Sequence, residues 1–279
     1  MVITVIGLGL IGGSLAIDLK NRDFASKVIG VDNNRNHAGT ALKRGIVDEL
    51  ASLEDGVDKG DLIIVATPAD AALGILPGIL DRCGNKVVTD MCSTKGNIAT
   101  LVSGHSNRKQ YVASHPMAGT EYSGPKAAFS GLFDNKTAII CDRGLSGAKA
   151  IKVVTQMYKA LNMKIINMPG TEHDVHAAYV SHISHISSFV LSLTVLEKEK
   201  NEKKIFELAG GGFESTVRLA KSSADMWVPI FQQNRDNIMV VLKAYIDKLN
   251  DFEHLIASGK NDELYMLINE ANKIKKILK

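Results

Sequence analysis

Two rhythms of hydrophobic and polar positions divide this chain. Up to about residue 168, short apolar runs of strand length alternate with segments whose apolar residues recur at helical spacing. The runs at 2–6, 28–31, 61–66, 86–89, 111–114, 137–141 and 164–168 predict strands, and 11–19, 36–44, 69–80, 98–102 and 148–161 predict helices. The run at 61–66 is apolar throughout and bounded by charge, as a strand buried on both faces requires. This alternation predicts an α/β, doubly wound, parallel-rich sheet. After Pro169-Gly170 the rhythm is helical only, with segments at 175–196, 214–222, 226–249 and 262–278 and a break expected near Pro229. The expected organisation is a sheet domain over residues 1–168 and an all-α domain over 169–279. The 175–196 helix is apolar on more than one face, so it is expected to be buried in its domain or against a second subunit.

The junction between the first strand and first helix carries specific chemistry. Residues 7–12 read Gly7-Leu8-Gly9-Leu10-Ile11-Gly12, and the second strand ends at Asp32, twenty residues past the last glycine. In a strand–turn–helix–strand unit, Gly7 allows the tight turn, Gly9 lets backbone N–H groups approach a pyrophosphate, and Gly12 lets helix and strand pack closely. The helix N-terminus adds partial positive charge for the phosphates. Asp32 stands where a carboxylate grips the ribose hydroxyls of an adenosine, and it would repel a 2′-phosphate, so NAD is expected over NADP. Arg35 lies close enough in sequence to accommodate that phosphate and is the one residue against this choice.

Composition narrows the setting. The 279 residues suffice for two cores, and 45% hydrophobic content is ordinary for a soluble protein. Apolar runs of strand length predict no membrane span, and the N-terminus runs directly into a strand without room for a signal peptide. The formal charge is +3, and lysines concentrate only at 198–204 and 273–279, read as solvated helix faces and chain end. Neither a nucleic acid nor a membrane is expected as partner. Cys83, Cys92 and Cys141 have no paired spacing, which suits free thiols in a reducing cytoplasm.

Ligands of open α/β sheets bind outside the carboxyl ends of the strands. Those ends carry Thr67-Pro68, Asp90 with Ser93, and His115-Pro116. His115 either accepts a proton from a substrate hydroxyl or satisfies nearby backbone groups. In the second half, His173, His176, His182 and His185 fall at helical spacings, but without the four-residue histidine pair and adjacent glutamate of helical zinc sites; no metal is expected. Arg218 follows a triple glycine. It either binds a substrate carboxylate or pairs with Glu214 one helical turn away. Trp227 reads as a packing anchor.

Taken together, GLGLIGGSLA, ATPAD, TDMCSTKG, SHPMAGTEYSG, SHISHISSF and FESTVRLAKSSADMW, in this order, resemble the prephenate dehydrogenase family, which includes arogenate and cyclohexadienyl dehydrogenases. The resemblance implies a Rossmann-type domain, a helical domain that forms a homodimer, and oxidative decarboxylation of a cyclohexadienol with NAD(P) in tyrosine biosynthesis. It implies that His115 is the catalytic histidine and that Ser93 contacts the same region and helps order it. It further implies Arg218 as the carboxylate ligand, with Thr120, Glu121, His185, His173 and Trp227 lining the substrate pocket. The cofactor would meet Gly7, Leu8, Gly9, Leu10, Ile11, Gly12, Asp32, Thr67, Pro68 and Ser93. No fused chorismate mutase or appended regulatory domain is expected. Prephenate is the expected substrate. Arogenate is the alternative, with Glu121, Glu214 or Asp225 as the carboxylate that would decide between them. A β-hydroxyacid dehydrogenase is disfavoured because 175–196 contains no lysine. A nucleotide-binding protein without chemistry is disfavoured because His115, Ser93 and Arg218 occur together.

Overall fold

The computed structural model describes residues 1–202 and 204–277; residues 203, 278 and 279, which belong to the lysine runs and the end of the last predicted helix, lie outside them. The strands are β1 (Val2–Ile6), β2 (Lys27–Val31), β3 (Glu49–Leu50), β4 (Leu62–Val65), β5 (Val87–Asp90), β6 (Tyr111–Pro116), β7 (Thr137–Cys141) and β8 (Lys164–Met168). They form one sheet in the order β3-β2-β1-β4-β5-β6-β7-β8. Every pairing is parallel except β6 with β7, where His115 lies opposite Ile139. The order reverses at β1, whose neighbours are β2 and β4, so the crevice for a ligand opens above that pair.

Helices α1 (Leu10–Asn21), α2 (Arg35–Lys43), α3 (Leu53–Lys59), α4 (Ala69–Arg82), α5 (Gly96–Val102) and α6 (Ala148–Ala160) cover the sheet. Alternate residues of each strand enter opposite cores. Ile3 and Val5 join Leu15, Leu19 and Val154 on one face, while Ile6, Ile63 and Val65 join Leu76 and Ile79 on the other. Full burial of Ile63 and Ile64, both 0% exposed, is worth about 1.5–3 kcal/mol each.

The second half is helical: α7 (Gly170–Ala177), a π turn (Ala178–His182), α8 (Ile183–Glu202), α9 (Gly211–Val217), α10 (Ala224–Gln233), α11 (Arg235–Ala257) and α12 (Asn261–Ala271). Three details differ from the sequence reading. Pro229 sits inside α10, and the break comes at Asn234, whose backbone leaves the helical region (φ −108°, ψ 24°). Glu49–Leu50 and α3 were not anticipated, because the strand is two residues long and the helix offers only one short turn of apolar spacing. Of the two burials expected for the long helix, the one within its own domain is not found. The Gly170–Lys200 stretch is long and apolar enough, by length and composition, to cross a membrane, yet only 11% of its most apolar window is buried, and Val190 and Leu193 face outward.

The glycine turn separates sterics from binding. Gly7 has φ +94°, and a Cβ there would lie 2.6 Å from the Ala66 carbonyl oxygen. A Cβ on Gly12 would lie 2.0 Å from the Gly7 carbonyl oxygen, whereas one on Gly9 would meet nothing within 4 Å. Gly12→Ala is therefore expected to lose about 3 kcal/mol of stability in urea unfolding, because backbone must move. Gly9→Ala is expected to stay within about 0.5 kcal/mol of the parent. Equal stabilities would contradict this packing.

Candidate active site

Strand β6 delivers His115 to the rim of the sheet, one residue beyond Ser114, whose hydroxyl donates to the Asp90 carbonyl oxygen at 2.9 Å. The ring does not stand alone. His115 Nδ1 lies 2.9 Å from His173 Nε2, with the rings edge to face, and His173 Nδ1 lies 2.8 Å from Asp174 Oδ1. Asp174 in turn accepts Lys95 N–H on Oδ1 at 2.8 Å and Gly96 N–H on Oδ2 at 2.7 Å. The carboxylate thus caps α5 and terminates a three-residue relay.

With both rings uncharged, the relay admits one set of tautomers. An ionised carboxylate only accepts, so His173 Nδ1 carries the proton and its Nε2 holds the lone pair in the uncharged ring. His115 must then donate through Nδ1–H, leaving Nε2 as an acceptor. Burial opposes charge on Asp174, but hydrogen bonds from His173, Gly96 and Lys95 outweigh it and hold the carboxyl below its usual range. Burial pushes His115 well below the ordinary imidazole value, helped by His173, Lys95 and His182, so the ring is neutral at physiological pH.

The helical half supplies an aromatic wall and a guanidinium. Asn234 donates through Nδ2 to the Asp174 carbonyl at 2.7 Å and lies 3.1 Å from His182 Nδ1. Burial lowers the His182 pKa to about 4. His185 stacks on Trp227 with centroids 3.5 Å apart, and His182 meets the same indole edge-on. Trp227 is 6% exposed, and its indole N–H is buried without a protein acceptor. Arg218 follows α9 on a short 3-10 turn and reaches back to Glu121, with Nη1 to Oε2 at 3.0 Å. This replaces the Glu214 pairing considered from sequence. Glu121 belongs to the loop after β6, where Thr120 accepts the Tyr122 N–H at 3.2 Å.

The nucleotide end has the shape its motif requires. The open space over Gly9, at the N-terminus of α1, is a cradle that a side chain would fill. Thr67, at the end of β4, has a buried hydroxyl with no protein partner. Asp32 accepts Leu8 N–H on Oδ2 and Asn34 N–H on Oδ1, both at 2.8 Å. The carboxylate therefore shapes the glycine turn itself, and lone pairs on both oxygens remain for ribose hydroxyls. The side chains of Leu8 and Leu10 are core, so these two residues can offer a cofactor only backbone. Pro68 precedes α4 and, with Ile11, flanks the crevice. These residues fit a dinucleotide.

Two sequence assignments change. His173 does not line a pocket: it is 1% exposed, and both ring nitrogens are engaged behind His115. Ser93 makes no hydrogen bond to His115 among the described residues; His173 orders that ring instead. Asp174, Asn234 and Lys95 escaped sequence reasoning. The available signal was the His173-Asp174 pair directly after Pro169-Gly170, where the chain leaves the sheet. Among the described residues no group of three or more His, Cys, Asp or Glu side chains is placed to hold a metal.

Comparison with known proteins places this geometry in a lineage. Residues 15–167 match the family profile described as prephenate dehydrogenase, nucleotide-binding domain, and residues 169–270 match prephenate dehydrogenase, dimerization domain. The prephenate dehydrogenase of Bacillus subtilis is 30% identical over 96% of this chain and 74% of its own length. The crystal structure of prephenate dehydrogenase from Aquifex aeolicus in complex with hydroxyphenyl propionate and NAD+ superposes with a TM-score of 0.85 at 28% identity, covering 99% of this chain and 97% of that one. Synechocystis arogenate dehydrogenase gives 0.76 at 25% identity, covering 99% of each chain. With matched profiles spanning both halves of its length, the chain belongs to the prephenate dehydrogenase family.

Proposed function

We propose that this protein catalyses NAD-dependent oxidative decarboxylation of prephenate to 4-hydroxyphenylpyruvate in tyrosine biosynthesis. The observation that carries the reading is the relay of Asp174, His173 and His115, which leaves a neutral acceptor nitrogen on His115 at the sheet rim. The family's relatives support it, and so does the fit of residues 7–12, Asp32 and Thr67 to a dinucleotide. The bound nicotinamide supplies a two-electron acceptor for hydride. His115 Nε2 accepts the hydrogen of the ring hydroxyl as hydride leaves the same carbon, so positive charge does not build up there. The bond to the ring carboxylate then breaks. CO2 leaves, the electron pair completes the aromatic ring, and the new phenolic oxygen takes its proton back from His115. Products are 4-hydroxyphenylpyruvate, CO2 and reduced cofactor.

Arg218 takes the role of carboxylate ligand in this reading, exchanging Glu121 for the substrate. Trp227 and His185 form the flat wall beside the ring, and the Trp227 N–H offers a donor to a substrate oxygen. Ser93, on the turn before α5, meets the nicotinamide side. We assign the sheet domain to residues 1–168 and the helical domain to 169–279. The exposed apolar residues of α8 and α11, among them Leu193, Val240 and Ile246, are read as the surface joining a homodimer. A cytoplasmic setting agrees with three buried free cysteines.

Rates measured with prephenate and with arogenate, each with NAD and NADP, test the assignment; highest kcat/KM is expected for prephenate with NAD, and turnover of neither substrate would overturn it. His115→Asn is expected to lower kcat by about two orders of magnitude or more with NAD affinity nearly unchanged. Because activity needs neutral His115 and its pKa is lowered, the acid limb of kcat/KM should fall below the ordinary histidine value of 6.5, with activity lost only as pH drops through the lowered pKa. Arg218→Leu should raise KM for prephenate by about tenfold or more, whereas Glu121→Gln, which frees Arg218, should raise it by less than about threefold. The reverse order would remove Arg218 from the carboxylate site.

A further inference from the structure

Beneath the histidine relay lies a buried ion pair that the chemistry above does not use. Asp90 ends β5, Lys95 follows five residues later, and both side chains are 0% exposed. Lys95 Nζ donates to both Asp90 oxygens, 2.9 Å to Oδ2, and the Tyr111 hydroxyl donates to the same Oδ2 at 2.8 Å. The Asp90 carbonyl accepts from Ser114, the neighbour of His115. At its other end Lys95 is fixed through its backbone, because its N–H and that of Gly96 hold the two Asp174 oxygens. Thr94 between them donates its hydroxyl to Gln233 Oε1 at 2.7 Å. The 93–96 turn is thus bolted to the sheet from below and to the helical half from above.

Stability alone gives little reason for such a pair. Taking two charges out of water costs several kcal/mol per ion, and apolar residues of the same volume commonly serve a core as well or better. What an apolar pair cannot do is hold the turn at a fixed height through directional bonds. We propose that the Asp90–Lys95 ion pair is a positioning element for His115: it sets the 93–96 turn where Asp174 finds both N–H donors, and so locks the relay in the tautomer that leaves Nε2 of His115 free. The inference rests on reading His115 as the acceptor of the substrate hydroxyl. The Lys95 cation has a second effect in the same direction. The charged and titratable groups facing His115 are His173 and Asp174 on α7, His182 on the π turn, and Lys95 beside Asp90, and Lys95 adds to the burial that disfavours an imidazolium.

The test uses the full chain carrying Asp90→Asn and Lys95→Met together, which removes both charges without stranding either. Imidazole ¹⁵N spectra, recorded without substrate or cofactor and assigned through His115→Asn, should show protonated Nδ1 and unprotonated Nε2 on His115 in the parent. In the double variant that signature should give way to mixed tautomers. Its kcat should fall by about tenfold or more, with KM for NAD within about twofold, and the acid limb of kcat/KM should move up by about half a pH unit or more. A folded double variant with the parent's ¹⁵N signature, kcat and acid limb overturns the proposal. If the double variant does not fold, Asp90→Asn alone carries the tautomer and kcat readouts, because the amide offers one acceptor oxygen where Lys95 and Tyr111 use two, and its acid limb should move down, since the Lys95 cation is left unneutralised. A folded Asp90→Asn indistinguishable from the parent also overturns it. A tautomer locked in the parent and lost in the double variant, with no turnover of prephenate or arogenate by the parent, would instead refute the functional reading while supporting the positioning role.

Discussion

The Asp174 carboxylate is the joint on which both halves of the molecule depend. It belongs to the first helix after the sheet, yet its two oxygens receive the first N–H groups of α5, which belong to the sheet half. A helix N-terminus leaves such donors unpaired, and a buried pair without an acceptor would cost about 1–3 kcal/mol for each group. Asp174 removes that cost and in the same act becomes the anchor for His173. Domain contact and histidine orientation are therefore one interaction. Asn234 closes it from the other side by holding the Asp174 backbone carbonyl, which ties the start of α11 to the same point. A shift of α7 large enough to open the domains would unpair α5 and release the His115 tautomer together.

Much of the nucleotide half could be read before any coordinates. The strand, the three glycines and Asp32 follow a local code, and local codes survive in sequence because each residue answers to near neighbours. Even so, the three glycines differ in kind. Gly7 and Gly12 are required by the backbone around them, while Gly9 faces open space. His115 was legible for a similar reason: a histidine at a strand end in an open sheet stands where ligands bind. The antiparallel return of β7 was not, because apolar runs of strand length carry no direction.

The rest of the site was illegible because its contacts are long-range and polar. His173 meets His115 from 58 residues away, and Arg218 meets Glu121 from 97. Neither spacing leaves a pattern that periodicity can detect. The sequence offered Glu214 as a partner for Arg218 at a helical spacing, but α9 ends at Val217, so the helical geometry that would have joined them stops one residue short. The break at Asn234 rather than Pro229 has a comparable cause. Pro229 lies in the second turn of α10, where the helix tolerates one missing hydrogen bond, whereas Asn234 is pulled out of line by its bonds to Asp174 and His182.

The two ion pairs of the site behave differently because water reaches one and not the other. Arg218 is 50% exposed beside Glu121, and a pair of this kind is worth about 0–1 kcal/mol, so the proposed exchange of Glu121 for a substrate carboxylate costs little. Asp90 and Lys95 are sealed from solvent, and removing one partner of such a pair costs about 3–5 kcal/mol, so no ligand competes for it. Exchange belongs at the mouth, where an anion has to arrive and a product has to leave. Permanence belongs under the floor, where neither water nor a ligand competes for the bonds that hold the 93–96 turn. A cleft with these positions reversed would release its anion slowly and leave the bonds that hold the 93–96 turn open to competition from water. Solvent access, more than residue type, therefore divides capture from positioning in this site.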